Sequence, residues 1–339
     1  MKKLSSVNKF IFLLNNVFAI LLVISFFTPS LMPEKFGIIA LLSLVTPALI
    51  IINLVFVIFW IIIGFKKQVI LSFFVLLLSL LFIPKLYKFN NEKDSVSIDH
   101  LRIMTYNVRK FNVFNWLKIK NIDTEIKELI TNEDPDILML QEFRSIDNFK
   151  LNFPYFYNHI TNKNVQSGLV IYSKYPVINK GAIGYNRSEK DAIYVDIVKK
   201  NDTLRVYNFR LNSTGVIPDE DFFGHKDSEK LIKRLYNSFK THQKQIDTLN
   251  AHIKNCPYKV ILAGDLNNTA YSWDYKNIKN EMKDTFLEAG KGFGKTYEFK
   301  KFPLRIDYIF VDENINVIDH KNLKQKFSDH YPIIATLDL

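Results

Sequence analysis

Side-chain charge almost vanishes from the first ninety residues of this chain. Only Lys2, Lys3, Lys9, Glu34, Lys35, Lys66, Lys67, Lys85 and Lys88 are charged there. They bracket three apolar runs, at about 10–28, 37–63 and 68–84. A hydrocarbon core about 30 Å thick is crossed by roughly 20 helical residues, with about 17–25 tolerated. The runs therefore read as three transmembrane helices forming a membrane anchor over residues 1–84. The second is long enough to tilt or to end in the interface, and Pro47 falls inside it. Asn15, Asn16 and Asn53 are the strongly polar side chains within the runs. Helix–helix hydrogen bonds account for them better than a transport path, because no ionisable group sits mid-span. Lys2 and Lys3 resemble the n-region of a signal peptide, but no A-x-A-like site follows Ile24 and two more runs come after it.

Lysine placement sets an orientation. Lys2, Lys3 and Lys9 precede the first run, and Lys66 with Lys67 separates the second from the third. The positive-inside rule puts both groups in the cytoplasm, and three spans then deliver the rest of the chain to the extracytoplasmic, periplasmic side. Lys85, Lys88 and Lys93 run against this assignment. Membrane lipids are the partners implied by the spans, and no protein partner is indicated. Residues 85–99 have no apolar period and read as a polar linker.

Residues 100–339 are numerous enough for one large domain with a substantial core. The net charge of +11 belongs mostly to the anchor, since residues 91–339 hold 37 Lys and Arg against 33 Asp and Glu. That near-balance argues against a basic nucleic-acid clamp. The single Cys256 excludes an intramolecular disulfide framework and a thiolate zinc site. Strand-like runs lie at 101–108, 136–143, 168–177, 192–198, 204–211, 259–266, 305–311 and 332–339, with a hairpin turn at Lys200-Asn201-Asp202. Helical periods occupy 121–132 and 228–254. Hairpins interspersed with helices give an α/β fold, with sheets packed face to face and helices outside.

Five polar clusters adjoin these apolar strands: Asn107, Gln141-Glu142, Asp265-Leu266-Asn267, Asp307 and Ser328-Asp329-His330. A carboxylate at a strand end is ordinarily a turn or helix cap. Five together supply hard oxygen donors, amides and one imidazole without thiols, an inventory suited to Mg²⁺ or Mn²⁺ and phosphoryl chemistry. A Ser-His-Asp hydrolase is not indicated, because no G-x-S-x-G elbow is present.

The ordered segments TYNVR, DILMLQEF, AGDLNN, RIDYIF and SDHYP resemble the motifs of the endonuclease/exonuclease/phosphatase (DNase I-like) superfamily. That group contains nucleases, apurinic endonucleases, neutral sphingomyelinases and inositol-phosphate phosphatases. The resemblance covers roughly residues 100–339 and implies a four-layer α/β sandwich, two mixed sheets flanked by helices. It implies metal-dependent hydrolysis of a phosphate ester, here by a membrane-anchored bacterial-type member. Carried over position by position, the resemblance implies Glu142 as the principal metal ligand, supported by Asn107, with Asp329 completing the metal shell or a second metal position. Asp265 orients and deprotonates water, and Asn267 donates to the phosphoryl oxygen. His330 touches the phosphate, held by Asp307.

Two positions depart from the family pattern. Arg109 stands where many members carry a possible second-metal ligand. Arg210 stands in VYNFRLNS where a His or Tyr is usual. It keeps positive charge for phosphate but, with a pKa above about 12, is a poor proton donor. The expected activity is a phosphoesterase acting on a phosphodiester, nucleic acid or phospholipid head group, or on a phosphomonoester. The alternative is a catalytically degenerate phosphate-binding or scaffold module. The loop 212–226 is the expected substrate-selecting element. His225, His242 and His252 read as solvated helix-face residues, and Tyr271, Trp273 and Tyr275 as packing.

Overall fold

The computed structural model describes residues 4–64, 66–89, 100–146, 149–161, 167–184, 192–215, 225–299 and 302–339. Most of the expected linker and of the expected substrate-selecting loop lies outside these residues.

The apolar runs form α1 (Ser6–Ser25), α2 (Pro33–Ala40), α3 (Leu42–Ile63) and α4 (Lys66–Ser79), followed by the single turn α5 (Ile83–Leu86). Two helical segments, Ser6–Ser30 and Pro33–Ile63, are long and apolar enough to cross a membrane. Of the three expected spans, the third yields a regular helix of only 14 residues, so two helical segments and not three reach spanning length by themselves. The expected helix over 37–63 is also divided, since Phe36 leaves helical geometry and α2 and α3 meet at Leu41. Pro47 lies inside α3 without ending it. Having no N–H, it leaves the Ser43 carbonyl without its intrahelical donor. Asn15 and Asn53 act between helices as expected. Asn15 Nδ2 donates to Ser72 Oγ at 2.9 Å, Ser72 Oγ donates to Asn53 Oδ1 at 3.0 Å, and Trp60 Nε1 donates to Asn15 Oδ1 at 3.0 Å. The network ties α1, α3 and α4 together.

The second part runs β1 (Leu101–Asn107), α6 (Ile122–Glu133), β2 (Ile137–Phe143), β3 (Tyr155–Thr161), β4 (Ser167–Ser173), β5 (Val177–Ile183), β6 (Ala192–Lys199) and β7 (Asp202–Arg210). It continues through α7 (His225–Lys254), β8 (Lys259–Asp265), α8 (Trp273–Lys279), β9 (Lys283–Asp284), α9 (Thr285–Ala289), β10 (Tyr297–Phe299) and β11 (Phe302–Leu304). It closes with β12 (Asp307–Val311), β13 (Asn316–Asn322) and β14 (Ile333–Asp338). One six-stranded sheet has the order β13-β14-β1-β2-β4-β3 and the other β5-β6-β7-β8-β12-β9. The strand expected over 168–177 is two strands in different sheets. Pro176 cannot donate to a ladder, and Ser173 Oγ accepts from the Tyr175 amide at 2.9 Å to turn the chain.

Strand alternation builds four layers. Ile103, Ile137 and Met139 face Val195, Val206, Ile261 and Ile309 between the sheets. On the outer face of the first sheet, Met104, Tyr106, Leu138 and Leu140 bury Ile122, Ile126 and Ile130 of α6. On the outer face of the second, Tyr207, Phe209, Leu262 and Phe310 bury Ile246 and Leu249 of α7 and Trp273 of α8. The expected mixed-sheet sandwich is the observed fold.

Candidate active site

The inter-sheet face changes from apolar to polar toward one end of the strands. With a period of two, Ile103 leads to Thr105 and Asn107, and Met139 leads to Gln141. Val206 leads to Asn208 and Arg210, Ala263 to Asp265, and Ile309 back to Asp307. These side chains share the core face and converge beyond it. Alternation alone would send Glu142 to the helix side with Leu140. The β2–β4 register shifts between Leu140 and Phe143, and Glu142 is left-handed at φ 50, which turns the carboxylate into the cluster. Asn267, just past β8, is also left-handed at φ 51. For Glu142 such a conformation costs on the order of 1–2 kcal/mol and persists only where neighbours impose it, whereas Asn adopts it readily. Gly264 precedes Asp265 because a Cβ there would lie 1.9 Å from the Phe209 carbonyl oxygen of β7.

All eight expected residues meet. Asn107 Nδ2 donates to Asp265 Oδ2 at 3.0 Å and lies 3.4 Å from Glu142 Oε1. The Asn267 amide donates to Asp265 Oδ1 at 2.8 Å, and its Nδ2 donates to the Leu211 carbonyl at 3.0 Å. His330 Nδ1 pairs with Asp307 Oδ2 at 2.9 Å, and its Nε2 points toward Asp265 Oδ2 at 3.9 Å. Arg210 is in register with Asp265 and reaches Glu142 Oε1 with Nη2 at 2.7 Å. Arg109 Nη1 pairs with Asp329 Oδ2 at 2.7 Å while its guanidinium lies 4.0 Å over the Trp116 ring. The position that departs from the family pattern thus engages an expected metal ligand.

Burial and charge set the protonation states. Burial opposes the His330 cation, but Asp307, Asp265 and Asp329 outweigh it and lift its pKa to about 10. Burial, reinforced by Asp307, raises Asp265 to about 6 against the pull of His330 and Arg210. Burial also works against an ionised Glu142, yet Arg210 and His330 hold it below the usual carboxylate range. Four carboxylates, Glu142, Asp265, Asp307 and Asp329, then face two guanidinium groups and one imidazolium. The Lys110 ammonium also acts on Glu142, so the acidic groups are closely matched by cations. For a hard divalent cation the carboxylate and amide oxygens gathered here are the preferred donors. The donor set therefore fits such an ion. Asp265, Asp307 and His330 form the tightest grouping of potential ligand atoms. A protonated His330 offers no lone pair, however, so the carboxylate and amide oxygens around it are the better donors.

Two supports escape the sequence reading. Gln141 Nε2 donates to Thr105 Oγ1 at 2.9 Å and to Asn208 Oδ1 at 2.7 Å, while Asn208 Nδ2 donates to the Leu140 carbonyl at 2.9 Å. This wholly buried network pins β2 to β7 beneath Glu142 and Arg210. Its sequence signal was an asparagine at an inward position of an apolar strand. His242 is not a solvated helix-face residue. It is fully buried, with Nδ1 2.6 Å from Asp274 Oδ2 and Nε2 2.6 Å from the Asn212 carbonyl. Tyr271, Trp273 and Tyr275 are buried packing residues, as expected.

The model of the Endonuclease/Exonuclease/phosphatase family matches residues 104–330, and the chain belongs to that family. Residues 8–86 match a second model, a domain of unknown function (DUF8431). No curated protein matches. Among solved structures, a humanized D. rerio TDP2 is 16% identical, covering 71% of this chain and 99% of its own, with a TM-score of 0.54. The mannosyl-6-phosphatase Bt3783 of Bacteroides thetaiotaomicron VPI-5482 is 15% identical, covering 70% and 100%, with a TM-score of 0.53. The human Nocturnin catalytic domain with bound sulfate is 15% identical, covering 72% and 94%, with a TM-score of 0.52. At these identities the likeness is one of fold.

Proposed function

We propose that this chain is a membrane-anchored phosphoesterase dependent on Mg²⁺ or Mn²⁺. The observation that carries the reading is the convergence of Glu142, Asn107, Asp265, Asn267, Asp307, Asp329 and His330 at one strand end, a set of hard oxygen donors beside an imidazole. Glu142 and Asn107, with Asp329 at the edge, would hold the ion, which when bound polarises the phosphoryl group and offsets its charge. Asp265, raised toward neutrality, accepts the proton of the attacking water. Asn267 and the His330 imidazolium donate to phosphoryl oxygens as charge builds, and Asp307 fixes the imidazole ring. Arg210 adds a second cationic donor toward the phosphate.

A phospholipid head group is the preferred substrate class over nucleic acid. The loop that follows Asn267 touches the helix ends of the anchor, which brings the reacting edge to the membrane side of the domain. The near-balanced charge of residues 91–339 gives little for high-affinity nucleic-acid binding. A second reading, a phosphate-binding module without turnover, draws on the Arg210–Glu142 and Arg109–Asp329 pairs, which neutralise two expected metal ligands. The full chain in detergent, assayed on bis-p-nitrophenyl phosphate, plasmid DNA and phospholipid vesicles, separates the two. Turnover with Mg²⁺ or Mn²⁺ that EDTA abolishes supports the esterase. Phosphate binding without turnover on any substrate supports the module.

A further inference from the structure

We infer that the anchor is part of the active-site scaffold: the Ser43 carbonyl freed by Pro47, together with Thr28, seats the loop that positions Asn267. The inference rests on the esterase reading for its kinetic arm only. Thr269 Oγ1 donates to the Ser43 carbonyl at 2.7 Å, filling the acceptor that Pro47 leaves vacant one turn later in α3. Ser43 Oγ lies 3.3 Å from Asn268 Oδ1, and Thr28 Oγ1 donates to the Tyr271 carbonyl at 2.8 Å. Ser43, Thr28, Asn268, Thr269 and Tyr271 are all buried. Thr28 Oγ1 and Ser43 Oγ each also lie 2.7 Å from a carbonyl of their own segment, of Ser25 and Ala40, so their single protons are shared, and the bond from Thr269 to the Ser43 carbonyl is the uncontested one.

The same loop is fastened from its other side. Asn268 Nδ2 donates to Asp274 Oδ2 at 2.8 Å, Asp274 holds His242, and His242 reaches the Asn212 carbonyl. The preceding Leu211 carbonyl accepts from Asn267 Nδ2. A closed ring therefore runs from Asn267 through Leu211, Asn212, His242, Asp274 and Asn268 back to Asn267, with the anchor bonded to it at Asn268 and Thr269. The ring holds the left-handed turn at Asn267 from both sides and so fixes the direction of its amide. Loosening the loop lets that residue relax and withdraws its amide from the reacting phosphate. Thr269, Ser43 and Thr28 act here as positioning residues.

The test uses the full chain in detergent with Mn²⁺. Thr269→Val and Thr28→Val remove a hydroxyl at constant shape, and Thr269→Ser restores it. Each valine variant is expected to lower kcat about tenfold with KM unchanged, as misplacement of a group near the reacting centre does. Thr269→Ser should recover the rate. In an Asn267→Ala background, Thr269→Val should cost nothing more. Multiplicative losses in that background, or unchanged kcat in both valine variants, would overturn the inference. Amide hydrogen exchange at Leu266–Thr269 reads the seating without turnover: faster exchange in Thr28→Val supports it, and unchanged protection refutes it. A wild-type chain inactive on every ester would therefore count against the esterase while the exchange result still decides this point.

Discussion

The guanidinium of Arg210 lies 2.7 Å from Glu142 Oε1 and 3.9 Å from Asp265 Oδ2, so one side chain moderates both the expected metal ligand and the expected base. Its removal has two consequences of opposite sign. Arg210→Ala leaves Glu142 un-neutralised, which tightens divalent-ion binding and lowers the half-saturating Mn²⁺ concentration. The same variant loses a charge-assisted donor to phosphate, worth about 1.5–3 kcal/mol, so kcat/KM should fall roughly 10- to 100-fold. Titrating Mn²⁺ and substrate separately checks both, and a variant unchanged in each would make Arg210 a structural ion-pair partner only. Asp265→Asn keeps the shape and hydrogen-bond capacity of the site but accepts no proton. It should lower kcat by about 10²–10⁴ while the Mn²⁺ requirement persists, measured on the same diester. Glu142→Gln reverses that pattern, weakening metal saturation first.

At the level of elements, His320 on β13 offers a test of packing rather than catalysis. Its Nδ1 bonds Thr285 Oγ1 of α9 at 2.8 Å, and burial pushes its pKa from 6.5 down to about 4. Between those values the unfolded chain takes up a proton that the folded chain excludes, so stability rises with pH through that window and levels off above it. The shift corresponds to about 3 kcal/mol. Denaturant unfolding at pH 7 and pH 4.5 should show His320→Gln losing less stability on acidification than the wild type, and equal losses would place the imidazole in contact with water. The same edge region explains what the sequence concealed. β3, β5, β9 and β13 are the edges of the two sheets, and each is a strand that the sequence pattern missed or ran into its neighbour, as it also missed the short β10–β11 hairpin. An edge strand such as NVIDHKN (316–322) is solvated along one side and shows little apolar pattern. Central strands such as KVILAGD are buried on both faces and read plainly. Every expected catalytic residue lies on or just beyond a central strand, which is why the site was legible. The inward turn of Glu142 was not, because it depends on a bulge whose backbone no side-chain pattern announces. His242 was missed for a related reason: a helix as polar as α7 hides one buried imidazole among many solvated side chains.

For the molecule as a whole, contacts between anchor and sandwich restrict the membrane topology. Thr28, beyond α1, and Ser43, at the start of α3, both bond the loop after Asn267, so the connection between α1 and α3 lies on the catalytic side. The 22 residues of α3 then carry the chain about 33 Å away, to the turn at Gly64. Lys88 returns to pair with Gly292, its N–H donating to the Gly292 carbonyl at 2.9 Å and its carbonyl accepting from the Gly292 N–H at 2.9 Å. On a membrane-spanning reading of α3, that return requires a further crossing between Gly64 and Lys88, although α4 itself has only 14 residues. The 3-10 turn Leu80–Phe82 and α5 extend α4 toward spanning length. Ser72 supports the same reading, because its place in the buried network with Asn15 and Asn53 sets α4 beside the two longer helices. We therefore predict three crossings, with Lys9, Lys66 and Lys67 on the cytoplasmic face and the sandwich opposite, in agreement with the positive-inside bias. In a Cys256→Ser background, Lys67→Cys and Lys324→Cys place single thiols at exposed positions on the two sides. A membrane-impermeant maleimide applied to sealed vesicles of known orientation should label one variant from the cytoplasmic face and the other only from the opposite face. Labelling of both from the same face would mean that the third apolar run does not cross, and that the sandwich shares a compartment with the Lys66–Lys67 turn.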